Sequence, residues 1–452
     1  MKKCSANQSI EDVLKKMKLV FSPRYGLVNR LTIEEMEHQR LKKNDGVYVV
    51  ANVIPMYRTT VQSVLGDATI GCGASLTKER SQVKAFGEFI ERFSATNFHD
   101  DHRVPLQYNT YADQCKLGEC LDLADLIDFE DSLFDLEETR MQKYTHDDMV
   151  SWVRGTELTG GTPVWVPAQK VYLGVPLENG EKECLQWLST GLACGSSLEN
   201  ATTSGIFEVI ERDSFMLTWL LHLPGKRIVM DQMKNPQLKA LYTHIRDHLV
   251  GDDRLYIYDI SKTDGVYTVL TFIRNDNPHS YGLITSAATD VDPERALLKS
   301  LEELCLTQAF GYLSLYEHKH NIQELEQQDV QTLHMHLFYY STGKNSREFD
   351  FIDDPGSSVE LSKMPTYCTG SDECVLDYLL NLFRKAGKPV YSVDVTREEI
   401  LECGLRVVKA IIPGYNDLDI TYNMKLLKNK RLKEFQEKTN RHVINRAPHP
   451  FP

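Results

Sequence analysis

The chemistry that this sequence can support is concentrated in two similar stretches of acidic and basic residues. They read KAFGEFIERFS at 84–94 and SGIFEVIERDS at 204–214. Aligned without a gap, they pair Glu88 with Glu208, Glu91 with Glu211, and Arg92 with Arg212. Residues three apart lie on one face of a helix, so each stretch predicts a helix with a two-carboxylate edge. Each edge is a candidate pair of metal ligands.

The second of these helices continues its polar face toward the N-terminus. Ser196, Asn200 and Ser204 precede Glu208 at intervals of four residues, and the surrounding positions are mostly apolar. This pattern predicts a buried helix whose carboxylates lie inside the protein.

Converging glutamates require cations nearby, because an unpaired buried carboxylate costs several kcal/mol or becomes protonated. Arg92 and Arg212 could neutralise two of them. Mg²⁺ ions with nucleotide phosphates would supply the remainder, since Mg²⁺ is usually held by one or two carboxylates together with phosphate oxygens. We therefore predict that ATP and Mg²⁺ bind here. The alternative is a ligand-free ionic lock in which each glutamate pairs with an arginine of the neighbouring helix.

Glycine-containing runs precede both predicted helices, GCGAS at 71–75 and GLACG at 191–195. Their backbone amides could approach a phosphate at a helix N-terminus, or the glycines could simply form turns. A GxxxxGK[ST] loop, a GxGxxG run after a strand and the HRD and DFG motifs are absent from the sequence. The sequence therefore excludes a standard P-loop or protein-kinase site.

The bulk composition narrows the class of protein further. The 452 residues carry a formal net charge of -13, which argues against nucleic-acid binding because that needs a basic surface. The N-terminus lacks the apolar core of a signal peptide, and no apolar run approaches the roughly 20 residues that span a bilayer. We expect a cytoplasmic protein without a membrane partner. The ten cysteines show no zinc-ribbon spacing, although Cys115 with Cys120, or Cys368 with Cys374, could donate two metal ligands.

Helical and strand-like patterns alternate along the chain. Helical periodicity covers 10–17, 81–97, 199–221, 293–312, 373–386 and 426–437, and β-rich runs cover 47–54, 164–172, 255–259, 266–274 and 390–395. This alternation predicts an α/β (α+β) fold in which a pseudo-symmetric helix pair packs on mixed β-sheets. We expect an N-terminal subdomain over 1–60 and a catalytic domain over 61–452. The latter would carry a peripheral acidic insertion near 104–148, with its acids on a solvated face, and an extended proline-rich tail over 445–452.

Three longer segments and the chain terminus resemble the YcaO-domain family, and within it the streptolysin-type (SagD-like) cyclodehydratases. The segments are 71–98, 189–220 and 292–304, and the chain ends in PHPFP. The resemblance covers most of the chain. It implies a YcaO-type fold and an ATP-dependent enzyme that closes azoline rings in a ribosomal precursor peptide.

The resemblance also implies roles for individual residues. Glu88, Glu91, Glu208 and Glu211 would bind Mg²⁺. A larger set would hold ATP: Lys84, Glu88, Glu91, Arg92, Ser196, Asn200, Ser204, Glu208, Glu211, Arg212 and Arg295. Three of these positions depart from the family pattern, since Lys84 replaces a usual serine and Ser196 and Ser204 replace amides. Leu306 and Gln308 stand where a Gln and an Arg are frequent, so Arg295 or Lys299 would supply the missing basic contact.

The terminal prolines, Pro448, Pro450 and Pro452, match a PxPxP ending that reaches into the active site of azoline-forming relatives. A stiff extended segment loses little entropy on docking, so it could place its terminal carboxylate at a fixed point. That carboxylate or His449 would serve as a general base or position one. The alternative is a frayed terminus with His449 in solvent.

In the implied reaction a Cys, Ser or Thr side chain attacks the preceding carbonyl, and the oxygen of the adduct takes the γ-phosphoryl group of ATP. Loss of phosphate leaves a thiazoline or (methyl)oxazoline. The implied partners are the precursor peptide and a leader-binding partner protein; a flavin-dependent dehydrogenase and a homodimer are left open. Thioamide or amidine formation is the nearest alternative activity, and a catalytically silent scaffold is the alternative outside the enzymes.

Overall fold

The structure is a computed structural model of the chain. It describes residues 9–22, 26–36, 54–63, 69–96, 106–135, 139–178, 180–249, 251–276, 282–317, 325–340, 345–354 and 356–451. The predicted strand over 47–54 lies outside these ranges except for Ile54, and so does Pro452.

Eleven α-helices and fourteen β-strands occur in the described residues. The helices are α1 (Ile10–Met17), α2 (Lys78–Thr96), α3 (Tyr111–Gln114), α4 (Ala168–Val171), α5 (Leu198–Leu220), α6 (Pro236–His248), α7 (Pro293–Glu317), α8 (Leu333–Tyr339), α9 (Asp372–Lys385), α10 (Glu398–Glu402) and α11 (Lys430–Thr439). The strands are β1 (Arg30–Glu35), β2 (Tyr57–Gln62), β3 (Ile70–Ser75), β4 (Gln107–Asn109), β5 (Val150–Glu157), β6 (Thr162–Pro167), β7 (Leu192–Gly195), β8 (Lys226–Val229), β9 (Arg254–Asp259), β10 (Tyr267–Arg274), β11 (Leu283–Asp290), β12 (Ser358–Glu360), β13 (Tyr391–Asp394) and β14 (Arg406–Ile411). None of the helices in these ranges combines the length and apolar character that crossing a bilayer requires.

The strands form three sheets, in the orders β1-β2-β3, β11-β10-β9-β8-β12 and β4-β5-β13-β14-β7, with β6 paired to β5. The pairings between these strands are antiparallel except for β8 with β12. The predicted α+β class is therefore confirmed. The predicted division at residue 60 falls inside β2, which pairs with both β1 and β3, so the two predicted parts share this sheet.

Most predicted helices and strands occur where the sequence placed them. The run at 164–172 is an exception, because the strand ends at Pro167 and the next four residues form α4. The basic run at 426–437 begins its helix only at Lys430, where Asn429 caps it by accepting from the backbone N–H groups of Arg431 and Leu432. Asparagine at this position supplies an acceptor for otherwise unpaired helix donors, which explains the later start.

Three strand–helix units bring their helices together: β3 leads into α2, β7 into α5, and β11 into α7. Each helix packs on the strand before it and also reaches a neighbouring unit, since α2 contacts β7, α5 contacts β11, and α7 contacts β3. Apolar side chains anchor the units; Phe86 and Phe89 of α2 and Ile206 and Ile210 of α5 have no exposed surface. The polar faces of these helices are thereby turned toward one another.

The glycines before the two motif helices serve close packing in this structure. A Cβ on Gly71 would lie 2.1 Å from the carbonyl oxygen of Ala85, and one on Gly195 would lie 2.5 Å from the backbone nitrogen of Ala201. A side chain at either position would therefore push the helix away from its strand. Gly71 lies within β3 rather than in a phosphate-binding turn. Close packing thus accounts for these two glycines, and the approach of the backbone amides to a phosphate stays a prediction.

The acidic segment within 104–148 carries ion pairs to the C-terminal part of the chain. Asp125 pairs with Lys430 at 2.8 Å, Asp131 with Lys428 at 2.6 Å, and Glu130 with Arg446 at 3.0 Å. Its acids are thus not merely a solvated face. Several of its apolar residues, Leu121 and Leu123 among them, are buried in a core cluster together with Trp152.

Asp128, in the same segment, gives the fold a pH-dependent element. Burial raises the pKa of Asp128 to about 6, although Asn429 donates to it at 3.0 Å. A carboxyl whose pKa is higher in the folded chain than in the unfolded chain stabilises the protein below the unfolded value, near 4, and loses that contribution as the pH rises through 6. We therefore expect Asp128→Asn to raise the free energy of unfolding by about 1–2 kcal/mol at pH 8 and to leave it unchanged at pH 4.

Urea unfolding at the two pH values measures this difference. Asp147→Asn is the matched control, since Asp147 is an exposed acid of the same segment. An equal effect of Asp128→Asn at pH 4 and pH 8 would show that Asp128 does not titrate as described.

Candidate active site

The first glutamate of each motif makes the same two kinds of contact. Glu88 Oε2 accepts from the backbone nitrogen of Cys72 at 2.5 Å, and its Oε1 lies 2.7 Å from Arg92 Nη2. Glu208 Oε2 accepts from the backbone nitrogen of Gly191 at 3.0 Å, and its Oε1 lies 3.2 Å from Arg212 Nη2. The two stretches are therefore similar both in sequence and in the contacts that their first glutamates make. The arginines pair within their own helix, not across to the neighbouring one as the ionic-lock alternative requires.

Negative charge is least compensated at the second glutamate of each motif. Burial raises the pKa of Glu91 well above its usual range, and the neighbouring carboxylates of Glu208 and Glu88 raise it further. Burial also raises the pKa of Glu211 to about 8, which Arg212 at 2.9 Å only partly offsets. Glu91 belongs to α2 and Glu208 to α5, so the acidic centre spans both helices. A buried cluster with raised pKa values is short of cations.

The third helix, α7, adds a carboxylate that the sequence alone did not assign. Glu303 raises the pKa of both Glu88 and Glu211 through its charge, although burial is the largest cause for each. Lys84 Nζ lies 2.6 Å from Glu303 and 3.2 Å from Glu302. Burial lowers the pKa of Lys84, but these two carboxylates raise it above its ordinary value. Lys84 thus links α2 to α7.

A cavity of about 520 Å³ opens on these helices. Its charged wall is formed by five residues of the cluster: Glu88, Arg92, Glu211, Arg212 and Glu303. Its other wall is largely apolar and includes Leu173, Trp187, Leu418 and Phe451. One cavity therefore joins the duplicated motif, the third helix and the chain terminus.

The donor set of the cluster fits Mg²⁺. Carboxylate oxygens are the hard ligands that this ion prefers, and one or two of them suffice when phosphate oxygens complete the shell. No group of three His, Cys, Asp or Glu residues is arranged around a single point anywhere in the described ranges. The same finding removes Cys115 with Cys120, and Cys368 with Cys374, as parts of such a group.

The residues of the polar stripe and Arg295 do not line this cavity. Asn200 Oδ1 accepts from the backbone nitrogen of Ser196 at 3.3 Å, at the first turn of α5. Ser204 is exposed one turn before Glu208. Arg295 lies 2.8 Å from Asp290, and Lys299 lies 2.9 Å from the same residue. The two basic side chains expected to replace a missing contact therefore share one carboxylate.

Lys409 of β14 is a buried cation next to the cluster that sequence reasoning missed. Its side chain is 1% exposed, and its Nζ donates to the carbonyl oxygen of Leu188 at 2.5 Å. Burial and Lys170 lower the pKa of Lys409 to about 8, while Asp417, Glu208 and Glu91 act in the opposite direction. The one sequence signal for Lys409 is that it interrupts an otherwise apolar run, VVKAII at 407–412.

The C-terminal tail is buried against α5 and β11. Trp219 Nε1 donates to the carbonyl oxygen of Ala447 at 3.1 Å, Tyr340 to that of Pro448 at 2.6 Å, and Thr285 to that of Pro450 at 2.5 Å. The frayed-end alternative is therefore wrong for the described part of the tail. Pro452, assigned a catalytic role with Pro448 and Pro450, lies outside the described residues.

Phe451 connects the tail to the acidic cluster. Its ring packs 4.7 Å from that of Phe215, and the Arg212 guanidinium lies 4.5 Å above it. Arg212 also pairs with Glu208 and Glu211. A cation in contact with an aromatic face and two carboxylates is held in one orientation. The tail therefore helps to position Arg212.

His449 is fully buried, so its predicted alternative position in solvent is wrong. Its Nε2 donates to the carbonyl oxygen of Asp419 at 2.9 Å, and its ring stacks on that of His336 with centroids 4.0 Å apart. Burial lowers the pKa of His449 well below its usual range, and His336 acts in the same direction. A neutral, hydrogen-bonded imidazole in this place anchors the tail.

Three solved structures resemble this chain along most of its length. A heterocyclase in complex with substrate and cofactor superposes with a TM-score of 0.76 at 20% identity, covering 98% of this chain; the chain spans 57% of that protein's length. YcaO from Methanopyrus kandleri, bound with AMPPCP and Mg²⁺, gives a TM-score of 0.63 at 18% identity, covering 91% of this chain and 92% of that one. The Escherichia coli microcin synthetase McbBCD complex gives 0.58 at 16%, covering 85% and 88%. These likenesses confirm the predicted YcaO-type fold.

The sequence profile of the YcaO family, described as cyclodehydratases that bind ATP and Mg²⁺, matches residues 72–416. That description confirms ATP and Mg²⁺ as the predicted cofactors. The match begins at the residue whose amide binds Glu88 and includes α2, α5 and α7. Since it spans most of the 452 residues, the chain belongs to the YcaO family.

Proposed function

We propose that this chain is an ATP-dependent cyclodehydratase that converts Cys, Ser or Thr residues of a ribosomal precursor peptide to thiazoline or (methyl)oxazoline rings. The observation that carries the proposal is the path from the acidic cluster to the chain terminus. Arg212 contacts Glu208, Glu211 and the Phe451 ring, and one cavity is lined by residues of both regions.

The proposed roles of the charged residues are those that the family resemblance implies, and the placement of these residues supports them. Glu88, Glu91, Glu208 and Glu211 would hold Mg²⁺, with Glu303 as a further carboxylate within electrostatic range. Bound Mg²⁺ neutralises charge on the phosphates of ATP. Arg92 and Arg212 are fixed on the same surface, where they stabilise the charge that develops during phosphoryl transfer. Lys84, Ser196, Asn200, Ser204 and Arg295 extend the nucleotide site outward from this centre.

The tail would position groups on the side of the site where the peptide binds. Pro448, His449 and Pro450 are held through their backbone carbonyls or ring, and Phe451 contacts Arg212. The terminal carboxylate is then a candidate base for the proton lost by the attacking side chain. Each ring forms with net loss of one water, whose oxygen leaves as phosphate while ATP becomes ADP.

A partner that captures the leader of the precursor peptide fits this proposal, and a flavin-dependent dehydrogenase would act on its product. The microcin synthetase that shares the fold is a multi-subunit complex. The proposal also includes three further points: the chain is of the SagD-like subtype, it forms a homodimer, and it is located in the cytoplasm.

Mass spectrometry tests the proposed reaction directly. The full chain is incubated with ATP, Mg²⁺, a candidate precursor peptide and the leader-binding partner. We expect one water to be lost per ring and one phosphate to be released for each water. Thioamide formation would instead exchange oxygen for sulfur, and a silent scaffold would release no phosphate. Either result, or phosphate release without any change in peptide mass, would contradict the proposal.

A further inference from the structure

The apolar wall of the cavity contains an aromatic side chain that the folded core does not use. Trp187 is 40% exposed, whereas the other three tryptophans, Trp152, Trp165 and Trp219, are exposed by 4% or less. It precedes β7 and lies at the edge of the cavity that holds Glu88, Glu211 and Arg212. A large aromatic surface left open beside a charged site is a typical anchor for a ligand side chain.

The loop that carries Trp187 is fixed. Lys409 Nζ donates to the carbonyl oxygen of Leu188 at 2.5 Å, and Leu192 donates its backbone N–H to that of Ser189 at 2.7 Å. The six-membered ring of the indole lies against Gly174, where a Cβ would be 3.9 Å from two of its carbons. One side of the indole is therefore supported by backbone, and little entropy remains to be lost when the open side binds a ligand.

The direction of α5 separates this wall from the proposed nucleotide site. Ser196, Asn200 and Ser204 lie on the N-terminal side of Glu208, whereas Glu211 and Arg212 line the cavity on its C-terminal side. At 1.5 Å per residue, Ser204 and Arg212 are about 12 Å apart along the helix axis. ATP bound along the polar stripe would bring its phosphates to the charged residues of the cavity and leave the apolar residues around Trp187 free. The peptide would then approach from the side of these apolar residues.

We propose that Trp187 is a specificity-determining residue that binds an aromatic or large aliphatic side chain of the precursor peptide, next to the residue that undergoes ring closure. Leu173, Leu418 and Phe451 complete the apolar wall around that side chain. A cavity of about 520 Å³ has room for one such side chain beside the reacting peptide group. This inference rests on the proposed function for the identity of the peptide as a substrate.

Acrylamide quenching of tryptophan fluorescence tests the contact, because only Trp187 is substantially exposed among the four tryptophans. The probes are N-acetyl-Phe-Cys-Phe-amide and N-acetyl-Gly-Cys-Gly-amide, each added to the full chain with Mg²⁺ and ATP. We expect the aromatic peptide to lower the quenching constant at least about twofold and the glycine peptide to leave it unchanged. Trp187→Ala should weaken binding of the aromatic peptide about tenfold, and Trp187→Phe should restore most of it.

A parallel titration with Mg²⁺ and ATP separates this inference from the proposed function. Trp187→Ala should bind the nucleotide like the wild type, since Trp187 is not among the residues proposed to hold ATP or Mg²⁺. If the nucleotide does not bind to the wild type while the aromatic peptide still protects Trp187, the proposed function fails and the contact stands. Equal binding of the two peptides, binding of neither, or an unchanged affinity in Trp187→Ala would overturn the contact. Protection of Trp187 that rises with protein concentration alone would assign this surface to a second copy of the chain and would also overturn it.

Discussion

Replacing Glu211 by glutamine is expected to lower the affinity for ATP in the presence of Mg²⁺ by about 100-fold or more, with a matching loss of ring formation. Glutamine keeps the size of the side chain and an oxygen that can accept from Arg212, now 2.9 Å from Glu211. It removes the negative charge that a hard divalent cation requires. The substitution therefore changes the charge of the site with little change in its shape.

Glu211 is the appropriate position because its charge is poorly compensated without a ligand. Burial raises its pKa to about 8, and Glu208 and Glu303 oppose the effect of Arg212. Burial and the neighbouring carboxylates disfavour the charged form of Glu211, and a bound cation would stabilise that form. We therefore expect the Glu211 carboxylate to contribute strongly to cation binding. Glu88→Ala should act in the same direction, although Glu88 also accepts from the backbone nitrogen of Cys72 and its loss would disturb β3.

Isothermal titration of ATP with and without Mg²⁺ measures the effect. Glu79→Gln is the matched control, because Glu79 is an exposed glutamate in the first turn of α2. Nucleotide affinity in Glu211→Gln equal to that of the wild type, with an unchanged requirement for Mg²⁺, would remove Glu211 from the metal site.

The parts of the site that the sequence predicts well depend on local periodicity. The ExxER repeat forms helices at 78–96 and 198–220, close to the predicted bounds, because a spacing of three and four residues encodes a helix face directly. The contacts of Glu88 and Glu208 then follow the alignment of the two stretches. A repeated pattern carries this information because each copy independently specifies the same local geometry.

Other parts of the site depend on contacts between distant segments, which no local pattern encodes. Glu303 is one of two adjacent glutamates in a helix, and only the packing of α7 on β3 brings it to Glu88. The packing role of Gly71 in β3 has no signal in the sequence, because it depends on how closely α2 approaches. Trp187 belongs to a loop without periodicity, and the carbonyl oxygen of the next residue, Leu188, accepts from Lys409, more than two hundred residues later.

The tail shows the same division between composition and packing. Alternating prolines predict an extended segment, but the burial of this segment depends on Tyr340 and Thr285, which lie far earlier in the chain. These donors bind backbone carbonyls, which every residue type supplies. The sequence therefore predicts the stiffness of the tail but not the place where it docks.

Deleting residues 448–452 is expected to lower the rate of ring formation by about 100-fold or more while changing the affinity for ATP by less than about threefold. The deletion removes Phe451 from its contacts with the Phe215 ring and the Arg212 guanidinium. Arg212 keeps its pairs with Glu208 and Glu211, so the nucleotide site retains its charges. A displacement of about 1 Å in a positioning group can cost about two orders of magnitude in rate, which is why the peptide step should suffer most.

Phosphate release, peptide mass and nucleotide affinity are measured together on the same preparation, so that retained ATP binding reports an intact fold. Val443→Ala is the matched control, because Val443 precedes the tail and is 83% exposed. Phe451→Ala separates the ring from the terminus: it should reproduce most of the loss if Phe451 positions Arg212, and little of it if the terminal carboxylate acts alone. Undiminished ring formation without residues 448–452 would exclude the tail from the reaction and leave the duplicated helices as the whole of the site.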